Sequence, residues 1–154
     1  MVEPPSRRVR GARVAAMLVA ALLLAPMAPV FGEEGEEPAL TASSGVFTAE
    51  QAERGREAFA HHCAHCHGSE LEGGFGPRLA PLDPAQFRDA PLSRPYQIMR
   101  TEMPFDAPGS LEDQVYAAIL AFVLHENGYP SGSEPLAADA ETLSNIVLDE
   151  PPAE

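Results

Sequence analysis

Cys63-Ala64-His65-Cys66-His67-Gly68 is the stretch on which the fold turns, and it holds both cysteines of the 154-residue chain. Two residues between the thiols, with a histidine directly after the second, is the pattern of covalent haem attachment. The spacing suits the separation of the two haem vinyl groups, to which thioether bonds form. His67 is then placed beneath the iron as an axial imidazole, and Gly68 lets the chain turn away without a Cβ clash. Cys63, Cys66 and His67 are the candidate attachment and iron-ligating residues, with one haem c and its iron as the expected cofactor. A dithiol redox centre uses the same cysteine spacing, but after a strand in a βαβ unit, a context missing here. A zinc site needs two further ligands at close spacing. His61, His62 and His65 offer imidazoles, yet a second ligand pair is missing.

On the N-terminal side, Thr48 and Gln51 have the spacing of a capping box. The spacing predicts a helix from Ala49 into the Cys63 region, with Ala52, Gly55, Phe59 and also Ala60 turned to the core. Gly55 in mid-helix costs about 1 kcal/mol relative to Ala, which close approach of another helix would offset.

On the C-terminal side, Gly68 to Pro108 carries seven prolines, leaving room only for short helices; the best candidate runs from Ser93 to Thr101 with Ser93 as cap. So long an irregular stretch in a small domain needs something to wrap around, and a bound cofactor supplies it. Gly73-Gly74-Phe75-Gly76 lacks the Lys and Ser/Thr of a phosphate loop and reads as a turn. Regularity returns at Ser110, a possible cap. Glu112 and Asp113 follow at the positive end of the helix dipole, then apolar Val115, Ile119, Leu120 and Val123. Asn127-Gly128 is the stop signal, with Pro130 beyond. No stretch alternates with period two, so an all-α class without a sheet is expected. Beyond Ser131, Leu136, Leu143, Ile146 and Val147 are expected to pack a short helix onto the body as a C-terminal extension, with a frayed end.

The second axial ligand has to come from outside the motif. Met103-Pro104 follows the short helix, where Pro104 stops continuation and the thioether can point inward. Met99, one turn earlier, has core packing as its simpler role, and His125 on the last helix is the weaker alternative. Met103 is therefore the favoured partner of His67. Two strong ligands leave no open position for oxygen or peroxide, and outer-sphere electron transfer is what remains.

The N-terminus has a separate character. Arg7, Arg8, Arg10 and Arg13 precede an apolar run from Val14 to Ala25 and then Val30-Phe31-Gly32, the three-part pattern of a Sec-type signal peptide over residues 1–32. A retained membrane anchor is the alternative, although the run is short for a span of about 20 residues. Glu33 to Gly45 reads as an acidic flexible linker. Residues 1–32 hold four Arg and one Glu, so their removal takes the formal net charge from −13 to −16. Every basic side chain is Arg, and the acidity argues against nucleic-acid binding. It favours protein partners with basic docking surfaces.

These residues resemble the class I c-type cytochromes over about Phe47 to Leu148. The resemblance is carried by Gly55 and Phe59, Cys63 to Gly68, Gly76-Pro77-x-Leu79, Thr101-x-Met103-Pro104, and Leu120-Ala121-Phe122. It implies a cytochrome c fold: crossed N- and C-terminal helices, with short helices and loops wrapped around one covalent haem. Residues 46–130 would be that domain and 131–154 an extension. It further implies that the Pro77 carbonyl accepts a hydrogen bond from the free ring nitrogen of His67. Leu111 to Leu136 is similar to small cytochromes found beside periplasmic quinoprotein dehydrogenases. The chain departs from Lys-ringed relatives, with no Lys and with Glu102 and Asp106 flanking the Met103 region.

The expected function is an electron carrier, not an enzyme, in the periplasm or another extracytoplasmic space. It would shuttle single electrons from a dehydrogenase to a terminal oxidase or other cytochrome. The alternatives are a haem-based sensor or catalyst with a labile sixth ligand, and a membrane-tethered subunit of a larger redox complex. Arg78, Arg88, Arg94, Tyr96 and Arg100 remain open as partners of the haem propionates.

Overall fold

In a computed structural model, residues 40–152 are described; the signal segment expected over 1–32 and the first part of the linker lie outside them. The described chain is helical. Its long elements are α1 (Ala49–His62), α4 (Ser93–Glu102) and α5 (Asp113–Glu126), and its one-turn helices are α2 (Ala64–His67), α3 (Pro84–Phe87) and α6 (Ala140–Leu143). Among the described residues, no helix is long and apolar enough to cross a membrane.

Thr48 caps α1 by accepting a hydrogen bond from Gln51 N at 3.1 Å. The reciprocal half of the capping box is not made, because the Gln51 carboxamide is used elsewhere. Its Nε2 donates to Leu136 O at 3.0 Å and its Oε1 accepts from Leu136 N at 2.7 Å, both in the buried interior. A residue of the first turn of α1 thus pins the C-terminal extension.

Gly55 is where α1 crosses α5. A Cβ there would collide with the Ala118 carbonyl and come within 2.9 Å of Phe122 Cβ, so the missing side chain sets the distance between the helices. Phe59 and Phe122 meet one turn away with ring centroids 5.4 Å apart. Ala60, expected in the core, is exposed instead, since the inward stripe passes through Phe59. α5 is buried without interruption from Tyr116 to Leu124, because α1, α4 and the C-terminal extension enclose it and its remaining face lines a cavity. A helix enclosed on every side has no use for a polar stripe.

Four expectations are corrected. α5 begins at Asp113 with Glu112 at the cap position, three residues after Ser110; the prolyl turn from Pro104 to Ser110 comes first. Ser93 lies inside α4 and is buried, with Leu92 before it and no side-chain cap. The linker expected to be flexible through Gly45 is structured from Leu40 onward, with Ala42 fully buried. A small sheet also exists: β1 (Leu40–Thr41) pairs in parallel with β2 (Ile146–Val147). Two residues per strand are too few to print an alternating pattern, so the pairing left no trace in the periodicity.

The extension folds back over the body. Leu136, Leu143, Ile146 and Leu148 join Phe47, Leu92, Tyr96 and Leu124 in the larger apolar cluster. Ser43 and Asp149 close the seam between the two ends: Asp149 accepts from Ser43 N at 3.0 Å and from Ser43 Oγ. Phe59, Leu71, Ile119, Phe122 and Val123 form a second cluster beside the cysteine motif.

Candidate functional site

The cysteine motif occupies the end of α1 and all of α2. Cys63 terminates α1, its N–H donating to Phe59 O at 2.8 Å, and its own carbonyl accepts from Cys66 N and His67 N at 3.0 Å each. The tight turn brings both thiols and the following imidazole to one wall. Both cysteines are free and half-buried. Burial pushes the Cys63 thiol up to about 11, with the neighbouring Cys66 adding to the effect.

His67 is buried and fixed from two sides. Its Nδ1 donates to the Pro77 carbonyl at 2.8 Å, which leaves Nε2 as the lone-pair nitrogen. Gly76 lies flat against the ring, where a Cβ would sit 2.7 Å from Cε1 and 2.9 Å from Nδ1. The Gly73–Gly76 turn reaches this position because Gly73 N donates to His67 O at 2.7 Å and Gly76 N to Cys66 O at 2.9 Å. Sequence reading took this glycine run as a turn but missed that one of its members packs the imidazole. The signal was its place, immediately before Pro77.

Two cavities, of about 480 and 520 Å³, adjoin the motif. His67, Met99 and Met103 line both, so they are two lobes around the same residues. The first lobe also takes in Cys63, Cys66, Leu111, Tyr116 and Ile119, and the second Leu79, Leu82, Phe87 and Arg78. A mostly apolar space, with two free thiols and an imidazole lone pair at one wall and two thioethers lining it, fits a haem held at Cys63 and Cys66. A zinc ion fits poorly: among the described residues, no three His, Cys, Asp or Glu side chains gather to hold a metal. A third cavity of about 360 Å³, between α3 and the C-terminal tail, is lined by Arg88 but by none of Cys63, Cys66, His67, Pro77 and Met103.

Met103 ends α4 in an extended conformation, its N–H donating to Met99 O at 3.1 Å. Its carbonyl accepts from the Tyr116 hydroxyl at 2.7 Å. Tyr116, on α5, was not singled out from the sequence, where a tyrosine on an apolar helix looks like core. His125 lies at the far end of α5, its ring 6.4 Å from Phe47, and lines neither lobe.

Asn127 does more than stop α5. Its Nδ2 donates to Leu79 O at 2.9 Å and Val123 O at 2.7 Å, while its Oδ1 accepts from Leu82 N at 2.7 Å. The irregular Leu79–Leu82 wall of the second lobe is thereby hung from the end of a buried helix. Of the possible propionate partners, only Arg78 lines a lobe. Arg88 pairs with Glu150 at 2.6 Å and Arg100 with Asp113 at 2.7 Å. The Tyr96 hydroxyl donates to Ala138 O at 2.8 Å.

Residues 50–123 match the family model described as cytochrome c oxidase, cbb3-type, subunit III. Among solved structures, the chain is similar to the sulfane dehydrogenase SoxCD from Paracoccus pantotrophus. The two are 20% identical with a TM-score of 0.45, over 70% of this chain and 62% of that one. This chain therefore spans less than two thirds of that neighbour's length. No curated protein matches the sequence.

Proposed function

Since residues 50–123 are a class I c-type cytochrome domain, which carries one covalent haem c for electron transfer, we propose that the protein is an extracytoplasmic mono-haem shuttle. It takes single electrons from a dehydrogenase and passes them to a terminal oxidase or another cytochrome, after export by the signal segment at residues 1–32. The observation that carries this reading is that His67 and Met103 line the same two lobes.

In this reading Cys63 and Cys66 hold the group through thioethers. His67 is one iron ligand, its ring orientation set by Pro77 and Gly76, and Met103 is the other. The bound group supplies a one-electron iron couple, which His/Met ligation biases toward Fe(II). Pro77 keeps the His67 proton on Nδ1, so Nε2 would be the nitrogen free to hold the iron. Arg78 supplies positive charge at the second lobe for the propionates. The apolar lining excludes water, which lowers the reorganisation that accompanies a change of charge.

Phe75 and Phe105 are exposed at 92% and 84%. Phe105 lines the mouth of the first lobe, and Phe75 lies 6.1 Å from the ring of His65, which lines it too. Two bare aromatics beside the site, on a strongly acidic protein, suit a partner with an apolar patch inside a basic rim.

The optical spectrum of the haem-loaded protein tests the ligation. Oxidised wild type is expected to show a weak sulfur-to-iron charge-transfer band that Met103→Ala abolishes. A band that is missing, or that survives the substitution, would replace the shuttle with a haem that binds external ligands.

A further inference from the structure

Met103 is held by its backbone from two helices. α4 holds its N–H through Met99 O, and α5 holds its carbonyl through Tyr116. Gly109 N also reaches that carbonyl, at 3.2 Å, from within the same loop. The Tyr116 phenol is therefore the bond that ties this residue to a separate, rigid element. Tyr116 is 2% exposed, lines the first lobe, and its oxygen lies 3.4 Å from Leu111 N, which donates to it. Beyond Met103 the chain enters a loop with no regular structure until α5, and Pro104 has no N–H with which to stabilise the exit.

Resting on the proposed His67/Met103 ligation, we propose that Tyr116 is a positioning residue for Met103. Its hydroxyl fixes the backbone from which the thioether reaches the iron, and so resists displacement of that thioether by an external ligand. A methionine dissociated from iron but anchored at its carbonyl stays within reach, whereas an unanchored one moves with its loop. The chain contains no Lys, so no lysine amine competes for the position.

The experiment titrates the oxidised, haem-loaded protein with imidazole and follows loss of the charge-transfer band. Tyr116→Phe removes one oxygen and keeps the ring. It is expected to bind imidazole about three- to tenfold more tightly than wild type, the range one net hydrogen bond supports. Tyr96→Phe is the control. It removes an equally buried phenol that donates to Ala138 O, and it is expected to keep wild-type imidazole affinity while losing comparable stability.

Should Tyr116→Phe fail to take up haem, 3-fluorotyrosine incorporated into a Tyr96→Phe/Tyr129→Phe background labels Tyr116 alone. Its more acidic hydroxyl is a stronger donor, and imidazole affinity should fall relative to the unlabelled background. Imidazole affinity that is unchanged in Tyr116→Phe, or shifted equally in Tyr96→Phe, overturns the inference while leaving the ligation intact. A charge-transfer band that survives Met103→Ala removes the ligation itself, and this inference with it.

Discussion

Gly76 is pressed against the imidazole of His67 so closely that a methyl group on its Cα would lie 2.7 Å from Cε1. The proposed iron ligand is thus clamped between a carbonyl that orients it and a backbone that leaves no room behind it. Gly76→Ala is expected to tilt the ring, lengthen the bond to Pro77 and destabilise the haem-loaded protein by about 1–3 kcal/mol, the usual cost of overpacking. Denaturant midpoints and the reduction potential check this together. A wild-type midpoint with an unshifted potential would mean that the turn yields freely.

Gln51 serves the fold and not the haem site, since it lines neither lobe. Gln51→Ala strands the buried N–H and carbonyl of Leu136, each of which now has its side-chain partner. A loss of about 1–3 kcal/mol is expected, with faster proteolysis between Ser131 and Leu136 and an unchanged haem spectrum. Spectral change without extra cleavage would show that the extension does not depend on this pair.

Asp149 makes the seam between the chain ends sensitive to acid. Burial alone would raise its carboxyl, but hydrogen bonds from the Ser43 hydroxyl and N–H, with Thr41 contributing, outweigh it and hold the group below the ordinary value of 3.8. A depressed carboxylate stabilises the fold above its unfolded pKa, and that contribution fades as pH falls through the folded one. Stability should therefore decline below about pH 4, and Asp149→Asn should flatten that part of the curve while lowering the plateau above it. An acid limb identical in the two proteins would assign the decline to other carboxylates.

Ionic strength provides the check on the partner. The chain carries a formal charge of −13, or −16 without residues 1–32, and steering toward a basic surface weakens as salt shortens the Debye length. Electron transfer to a basic-surfaced acceptor should slow severalfold between about 10 and 150 mM salt. A flat dependence would mean that apolar contact through Phe75 and Phe105, and not charge, brings the partners together.

Local chemistry made much of the molecule legible before any coordinates. Thr48 caps α1, Asn127-Gly128 ends α5 with Gly128 at φ 84°, and the helix from Ser93 to Glu102 carries Pro95 in its first turn, where an N–H has no partner to lose. Each of these signals is read within a few residues of the atoms it controls. The errors have a common origin. Ser110 and Ser93 are good caps by residue type, but neither caps its helix, because the turn after Pro104 and the buried contact of Ser93 decide those starts. The β1–β2 pairing joins residues about a hundred positions apart, which no local window can register.

The attachment motif, the helical class and the order of the three long helices follow from the sequence by itself, since each depends on spacing along the chain. Tertiary structure alone decided which distant groups hold one another in place. Gly76 became the back wall of an imidazole, Tyr116 the anchor of the Met103 carbonyl, Asn127 the hook for Leu79 and Leu82, and Gln51 the tie to Leu136. Hydrogen bonds and van der Waals contacts require closeness in space within a few ångströms, and for these pairs it is the crossing of α1 and α5 and the loops packed around them that supplies it.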